Sequence, residues 1–338
     1  MKTTGNSQEL ASGHASGVRS AIWNHKGSAL VKQPDDIDHG IIKALQNDPQ
    51  VTNKAIASLV GVSESTVAQR IRDMSDNNIM RVVAQRDVYS DGYTLMCLSD
   101  VDTVGDAAGI AARIALLDEA ISVSRCIEAP QILVNVRARD RAHLNTILFE
   151  KIGSIPGIER IRSNVCMTII KMESGYGELS TSLRTRPLEQ MESKYGEITR
   201  ILLEDGRTSN REIARRLDIS EGSVRQRIKK MYDTKQMQLR VVCDPVSLNQ
   251  AAIAIVRIAS RPTRRADAIE RLTAHDAVTF VGTMTGAHDL WALVQMQDSA
   301  AIADFCDEVV STLDGIKQYR VTMLIDNFLH RHDLARIR

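Results

Sequence analysis

Side chains of the kinds that contact nucleic acid lie together on one face of a short segment in the second half of the chain. On a helical wheel of residues 221–231, Val224, Ile228 and Met231 share one face. The opposite face and its flanks carry polar and basic residues, namely Gly222, Ser223, Arg225, Gln226, Arg227, Lys229 and Lys230. Glutamine can make two hydrogen bonds to adenine in the major groove, and lysine or arginine can reach guanine or phosphate. The pattern predicts a helix that offers this face to DNA, and the alternative is an ordinary solvated face.

The charge around this segment favours DNA. Residues 205–240 contain ten basic and five acidic side chains, a net charge of +5, while the whole chain of 338 residues has a net charge of +1. The total charge therefore gives no argument for a polyanionic partner, but the local excess of positive charge does.

The same segment occurs a second time, 157 residues earlier in the chain. Without a gap, residues 48–87 and 205–244 are identical at fourteen of forty positions. The equivalent polar face of the first copy consists of Ser65, Thr66, Gln69, Arg72 and Asp73, with Arg70 on its flank. Residues 48–86 carry a net charge of only +1, and Asp73 would repel phosphate. We therefore expect the first copy to attract DNA less strongly than the second.

Arg70 and Arg227 occupy equivalent positions in the two copies, at the border of the apolar face. Either side chain could contact DNA. The alternative is an ion pair with Asp73 or Glu221, which would keep the arginine away from DNA.

Each copy begins with three short helices. In the second copy, Asp205 and Gly206 interrupt the helical pattern, and Ser209 and Ser220 can cap the second and third helices. Thr52 and Ser63 stand at the equivalent positions of the first copy. A short helix, a tight turn and a capped third helix are the layout of a helix-turn-helix.

The rest of each copy alternates strands and helices in the order βαββαβ, which is typical of a ferredoxin-like sandwich. Strands are predicted at 94–101, 121–127, 132–136, 159–170, 251–258, 278–284, 290–296 and 318–325, and helices at 106–117, 142–152, 263–275 and 299–313. The predicted fold class is α+β, with two helix-turn-helix domains that are each followed by a ferredoxin-like βαββαβ sandwich domain. The predicted divisions are a disordered tail at 1–34, helix-turn-helix domains at 35–92 and 193–250, sandwich domains at 93–173 and 251–330, and a linker at 174–192.

These residues resemble the Lrp/AsnC family, the leucine-responsive or feast/famine transcriptional regulators. Residues 205–231, DGRTSNREIARRLDISEGSVRQRIKKM, are similar to the helix-turn-helix of that family, and the βαββαβ region is similar to its ligand-sensing domain. Most members have one such unit per chain, so this chain resembles a fused pair. The resemblance implies a double-stranded DNA operator as partner, a small amino-acid-like effector and a homo-oligomer.

In that family a Gly-x-x-Asp turn joins the two middle strands of the sensing domain, and here this turn is 286–289. The resemblance implies an effector site at Thr285, Gly286, His288 and Asp289, where backbone amides and the carboxylate would hold the ligand. The alternative is a hairpin turn with a solvated aspartate, and Trp291 beside it is interpreted as a core residue. The equivalent turn of the first copy, 127–131, lacks both the glycine and the aspartate, and Pro130 lacks a backbone donor. We therefore expect an effector site only in the second copy.

The sequence gives little support for catalysis, a metal or a cofactor. It contains none of the nucleophile, phosphate-binding or dinucleotide-binding motifs in a suitable context. The five cysteines are scattered and are expected to be buried, reduced thiols, and His330 and His332 are expected in a solvated tail. Since no apolar run is long enough to cross a bilayer and no signal peptide is evident, a cytoplasmic protein without a membrane partner is expected.

Two other functions stay open at this point. Siroheme decarboxylases resemble paired units of the same architecture, but the His-Asn-Tyr and Asn-Met-Trp stretches implied by that resemblance are absent, and their helix-turn-helix faces are less basic. A bound tetrapyrrole would absorb visible light. The other alternative is a sensing or assembly protein that is not retained on DNA at low salt.

Overall fold

The computed structural model describes residues 33–173, 175–176 and 194–337. The expected tail, except its last two residues, and most of the expected linker therefore lie outside the described residues. Within the described ranges each unit has the three helices and the βαββαβ order that the sequence predicts, and strands at 80–87, 237–243 and 334–335 are present in addition to the predicted ones.

The first unit runs from three helices into a βαββαβ sandwich. Its elements in chain order are α1 (Asp36–Asn47), α2 (Asn53–Val60), α3 (Glu64–Asp76), β1 (Met80–Asp87), β2 (Leu95–Thr103), α4 (Ala107–Ile114), β3 (Ala120–Cys126), β4 (Ile132–Ala138), α5 (Arg141–Asn145) and β5 (Ile158–Met172). A π-helical segment, Thr146–Ile152, continues α5.

The second unit repeats this order. Its elements are α6 (Lys194–Glu204), α7 (Asn210–Leu217), α8 (Glu221–Asp233), β6 (Met237–Cys243), β7 (Ala252–Ser260), α9 (Arg265–Ala274), β8 (Val278–Met284), β9 (Leu290–Met296), α10 (Ser299–Phe305), β10 (Ile316–His330) and β11 (Leu334–Ala335). A 3-10 turn, Pro262–Arg264, precedes α9, and a π-helical segment, Cys306–Val310, follows α10.

The two sandwich sheets close on each other into one barrel of eight strands, in the order β10-β3-β4-β2-β5-β8-β9-β7. The junctions between the units are antiparallel, between β5 and β8 on one side and between β10 and β3 on the other. One face of each sheet packs on the helices of its own unit, and the other faces fill the barrel with a shared apolar core. The sequence predicts the two sandwiches but not their closure.

A smaller sheet joins the two helix-turn-helix domains. Strand β1 pairs antiparallel with β6, with Met80 opposite Cys243 at one end, and β11 pairs parallel with β1. Val241 and Cys243 of β6 pack in the core of the first helix-turn-helix domain, and Ala84 of β1 packs in the core of the second. Each domain is therefore completed by a strand of the other unit.

The prediction of a solvated tail at His330 and His332 is wrong. Strand β10 extends to His330, and His332 is 4% exposed. The Nε2 atom of Gln85 in β1 donates to the His332 carbonyl at 2.7 Å. The carboxylate of Asp333 accepts two hydrogen bonds of 2.6 Å from Arg331. The C-terminal segment is therefore held between the units by polar contacts from distant parts of the chain.

Two predictions about the core are confirmed. The five cysteines are all buried and free, and Trp291 is 2% exposed in the barrel. Among the described residues, the helices are too short or too polar to span a membrane. The domain divisions after residues 92 and 250 stay predictions.

Candidate nucleic-acid interface and effector turn

The third helix of each helix-turn-helix domain begins at a serine cap. The hydroxyl oxygens of Ser63 and Ser220 accept the backbone N–H three residues later, at 3.1 and 3.2 Å. Before each cap, a left-handed residue ends the second helix, Gly61 with φ 74° and Asp218 with φ 51°. These equivalent positions fix the start of α3 and α8 relative to α2 and α7.

The polar face of α8 is open. Val224 and Met231 are buried in the domain core, and Ile228 is half-buried. On the other side Gly222, Arg225, Gln226, Lys229 and Lys230 are exposed, and Ser223 and Arg227 are half-buried. In the part of the chain that the structure describes, no hydrogen bond or ion pair is recorded for the side chains of Gln226 and Lys229. Both can therefore reach a ligand without breaking a contact within the described part of the chain.

The two arginines beside this face have partners. Arg225 forms an exposed ion pair with Glu221 at 3.0 Å, a kind of contact that stabilises little. Arg227 bonds to the hydroxyl of Ser223, and its guanidinium lies 6.0 Å from the ring centroid of Tyr195. The sequence allows an ion pair between Arg227 and Glu221, but in the structure Arg225 pairs with Glu221 instead.

The equivalent amide in α3 is engaged. The Nε2 atom of Gln69 donates to Asp73 at 2.7 Å, and Oε1 of Gln69 accepts from Arg72 at 2.8 Å. The hydroxyls of Ser65 and Thr66 both bond to the hydroxyl of the helix cap at 2.8 Å. A base contact by Gln69 would have to replace these interactions, unlike one made by Gln226.

Arg70 points away from the polar face of α3. It pairs with Asp35 at 2.5 Å and with Asp38 at 3.0 Å, at the start of α1. The hydrogen bond from Arg70 lowers the pKa of Asp35 to about 2. The ion-pair alternative for Arg70 is therefore correct in kind, but Asp73 is the wrong partner. A DNA contact by Arg70 stays a prediction, and it would require Arg70 to give up its ion pairs with Asp35 and Asp38.

Some other basic residues of the second unit are paired with carboxylates, whereas Lys229 and Lys230 of α8 form no ion pair among the described residues. Arg215 and Arg216 share Glu212 at 2.7 and 2.8 Å, and Arg240 pairs with Glu173 at 3.0 Å. The ammonium of Lys230 lies 5.7 Å from the ring centroid of Tyr195 and stays exposed. Lys229 and Lys230 therefore present unneutralised charge next to Gln226.

The Gly-x-x-Asp turn of the second unit lies against the first unit. The N–H of Thr285 donates to the Val165 carbonyl at 3.0 Å, and the hydroxyl of Thr285 accepts from the Val165 N–H at 2.9 Å. Gly286 has a φ of 101°, and a Cβ atom there would lie 2.4 Å from the side-chain oxygen of Asn164. A glycine is therefore needed where the turn meets β5.

Asp289 is tied to its own unit. Its carboxylate accepts hydrogen bonds of 2.7 Å from both the N–H and the hydroxyl of Ser260, and it pairs with Arg265 at 2.9 Å. Burial alone would raise the pKa of Asp289, but the hydrogen bonds from Ser260 outweigh burial and lower it. Burial and nearby arginines lower the pKa of His288, which is neutral at pH 7. The solvated aspartate of the alternative interpretation is not present, and the effector assignment of the turn stays a prediction.

The equivalent turn of the first unit uses its polar groups internally. The N–H of Cys126 donates to the Gln131 carbonyl at 2.9 Å, and the Gln131 side chain accepts from the Thr103 N–H at 3.0 Å. Arg320 donates to the Ala129 carbonyl at 3.1 Å. This loop therefore differs from the turn of the second unit in contacts as well as in sequence.

A buried ion pair between the units was missed by the sequence analysis. Arg257 of β7 meets Asp100 of β2 at 2.6 and 3.1 Å, with side chains only 4% and 10% exposed. The guanidinium of Arg257 lies 4.4 Å from the ring centroid of Trp291. The available signal was a charged residue within each of two apolar strands, but nothing local indicates that the two residues meet.

One end of the barrel contacts the strand that follows the recognition helix of the second unit. Tyr176 stacks on His330 with ring centroids 4.4 Å apart, and its backbone pairs with Cys243 of β6. Strand β6 follows α8 after a short turn. The barrel end at His330 is therefore connected through Tyr176 to β6, the strand that follows α8.

Models of known families match the chain in four places. An AsnC-type helix-turn-helix domain matches residues 35–75, and a winged helix-turn-helix DNA-binding domain matches residues 197–234. The Lrp/AsnC ligand binding domain matches residues 100–176 and 253–334. A helix-turn-helix match followed by a ligand-binding-domain match therefore occurs twice along the chain.

Curated relatives correspond to one unit. The HTH-type transcriptional regulator FL11 of Pyrococcus horikoshii is 32% identical over 127 residues, which are 37% of this chain and 83% of that protein. An uncharacterized HTH-type transcriptional regulator of the same organism is 30% identical over 128 residues, 38% of this chain and 81% of that protein. Each relative aligns over most of its own length with less than half of this chain.

A solved structure is similar along nearly the whole chain. The crystal structure of the siroheme decarboxylase NirDL matches 88% of this chain and 93% of that chain, with a TM-score of 0.59 and 14% identity. At this identity the likeness shows a shared fold and assigns no decarboxylase chemistry here.

Proposed function

The chain belongs to the Lrp/AsnC family of DNA-binding helix-turn-helix transcriptional regulators, and from this premise we propose that α8 of the second unit makes its main contacts with a double-stranded operator and that a small amino-acid-like effector modulates this binding. The observation that carries the first part is the open face of α8, where Gln226 has no recorded partner among the described residues. Genomic footprinting with the purified protein, with and without amino acids, tests the proposal as a whole.

We also propose that the protein works in the cytoplasm as a homo-oligomer. The sheet-to-sheet pairing that the family makes between sensing domains is already made within this chain, because the two sandwiches close into one barrel. An oligomer of this chain would therefore use surfaces other than the strand pairs β5–β8 and β10–β3 that join the two units.

The two recognition helices are expected to contribute unequally. Gln226→Ala should weaken operator binding by about 1–3 kcal/mol, the usual size of a good two-bond contact to a base. The matched change Gln69→Ala should weaken it by much less, because Gln69 is held by Asp73 and Arg72. Titration of a footprinted operator with each variant measures both effects.

Val224→Ala serves as the folding control for that experiment. Val224 is fully buried, so its loss should lower thermal stability, whereas Gln226→Ala should leave stability unchanged. Equal losses of affinity in the Gln69 and Gln226 variants would contradict the proposed asymmetry.

We place the effector at the turn of the second unit, with Thr285, Gly286, His288 and Asp289 as its contacts. The carboxylate of Asp289 is ionised, and it keeps acceptor capacity beyond its bonds to Ser260 and Arg265. It can therefore accept from the ammonium group of an amino acid. The first unit has no equivalent carboxylate in its turn.

Asp289→Ala is expected to abolish the binding of an amino-acid effector, because the ammonium group loses its only carboxylate partner in the turn. The same change should lower the free energy of unfolding by about 1–3 kcal/mol, since Ser260 loses its acceptor. Calorimetric titration of the folded variant with the amino acid that shifts the footprint measures the first effect.

Ser260→Ala is the matched control, because it removes the hydroxyl hydrogen bond to Asp289 but keeps the carboxylate and its bond from the backbone N–H. It should bind the effector, and so should Gln131→Ala in the first unit. Two equivalent sites per chain, or full affinity in the Asp289 variant, would show that the effector binds elsewhere.

A further inference from the structure

The interior of the barrel is not completely filled. Between the two sheets lies a cavity in which the centre of a water molecule can occupy about 70 Å³. At about 10–15 Å³ for each water, it has room for about five waters or for an organic molecule of about five to seven non-hydrogen atoms. The cavity is too small, as the barrel stands, for a tetrapyrrole.

One wall of the cavity is polar. Ser122 of β3 is in register with Asn135 of β4 on one side and with His330 of β10 on the other. In the next pair, the hydroxyl of Ser124 donates to Oδ1 of Asn327 at 3.2 Å. All five side chains line the cavity and form what we call the polar strip, which crosses three adjacent strands. The wall formed by the other strands is mostly apolar, with Leu98, Ile253, Ile255, Phe280 and Leu293.

The polar strip has unused hydrogen-bonding capacity. Among the described residues, Oδ1 of Asn135 and Nε2 of His330 are buried without a hydrogen-bond partner. The amide nitrogen of Asn135 faces the sulfur of Met96 at 3.6 Å, so its oxygen is the atom left to accept a bond. Burial lowers the pKa of His330 to about 3, and the neutral ring can donate or accept one bond at Nε2. An occupant with a hydrogen-bond donor would therefore satisfy an otherwise costly buried acceptor.

The cavity does not suit a charged occupant. Among the described residues its one formally charged lining residue is Glu173, which is exposed and pairs with Arg240 at 3.0 Å. The described residues that line the cavity include no lysine or arginine that could pair with a carboxylate. Because a buried charge without a partner is costly, a zwitterionic amino acid is disfavoured inside the barrel. This interior therefore differs in ligand chemistry from the turn at Asp289.

We propose that the barrel cavity is a second ligand site, which takes a neutral molecule with a short apolar body and a hydrogen-bond donor that reaches Asn135, as in a short-chain amide. The site is formed by both units, since the polar strip includes β3 and β4 of the first and β10 of the second. It does not depend on the proposed contacts with DNA or on the effector turn.

Three compounds of nearly the same shape test the proposal on the full chain without DNA. Butyramide has an amide donor, 2-pentanone replaces the amino group by a methyl group, and butyrate carries a charge. Binding is followed by the NMR methyl signals of Ile253, Ile255 and Met172, which line the cavity. Butyramide should shift these signals with an affinity about tenfold higher than 2-pentanone, because the ketone leaves the acceptor of Asn135 unpaired. Butyrate should not shift them.

Asn135→Leu should remove the preference for the amide, so that butyramide and 2-pentanone bind about equally. The matched variant Asn145→Leu makes the same change at an exposed position of α5 and should keep the preference. If Asn135→Leu does not fold, the comparison of the three compounds on the unchanged protein still tests the proposal. The proposal is wrong if no compound shifts the three methyl signals, if butyrate binds as well as butyramide, or if the ketone matches the amide.

Discussion

Asp100→Ala is expected to lower the free energy of unfolding by about 3–5 kcal/mol, because it leaves the guanidinium of Arg257 buried without its counter-ion. Burial raises the pKa of Asp100 and lowers that of Arg257, while the attraction between the two charges favours the ionised form of each. The pair joins β2 of the first unit to β7 of the second across the barrel. The loss should therefore loosen the association of the units, and urea unfolding measures it.

Two variants separate charge from packing in this experiment. Asp102→Ala makes the same change two residues along β2, where the partner Arg162 is 42% exposed, and it should cost only about 0–1 kcal/mol. Asp100→Leu combined with Arg257→Met removes both charges together and should recover most of the loss, since apolar replacement of a buried pair is often neutral. Equal costs for the changes at Asp100 and Asp102 would show that the buried pair is solvated.

Local signals were sufficient for the helices and for most strands. Serine caps, turn residues and the period of apolar side chains depend on neighbours within about one turn, and Ser63 and Ser220 cap α3 and α8 as predicted. Strands β8 and β9 have the predicted bounds, 278–284 and 290–296. These elements could be predicted because their own residues determine them.

The missed features depend on contacts between residues far apart in the chain. Strand β1 buries two polar residues, Gln85 and Arg86. Gln85 donates a hydrogen bond to the His332 carbonyl, and Arg86 donates one to the carboxylate of Asp91. Arg70 was assigned to DNA because a helical wheel shows only its own helix and not Asp35 in α1. For the same reason the closure of the barrel could not be derived from strands that were each predicted correctly.

The cavity and its polar strip belong to this second group. The sequence places Ser122 and Asn135 in two predicted strands, but their alignment with His330 is set by the register between β3 and β10. The first unit alone would place only two of these three side chains together. A site shared by both units is therefore visible only in the folded chain.

Acidification from pH 6.5 to 5 is expected to lower the free energy of unfolding by about 3 kcal/mol through His330 and His332 alone. Burial lowers the pKa of His330 to about 3 and that of His332 to about 4. In the unfolded chain both have a pKa of about 6.5, so below that pH the unfolded state binds protons that the folded state does not. Each histidine then removes about 0.7 kcal/mol for each pH unit at pH 6.5, where half of the unfolded chains carry the proton, and about 1.4 kcal/mol for each pH unit near pH 5.

Urea unfolding at several pH values measures this slope, and single variants assign it. His332→Gln and His330→Gln should each remove about half of the slope between pH 6.5 and 5, because glutamine does not titrate. Asp333 adds nothing in this window, since Arg331 and Arg86 hold its pKa well below its ordinary value and it is ionised in both states. Its contribution appears only at lower pH, where the unfolded chain takes up a proton first and the folded state loses further stability. A slope that is unchanged in both histidine variants would mean that the C-terminal segment is open to solvent, and β11 would then not hold the two units together.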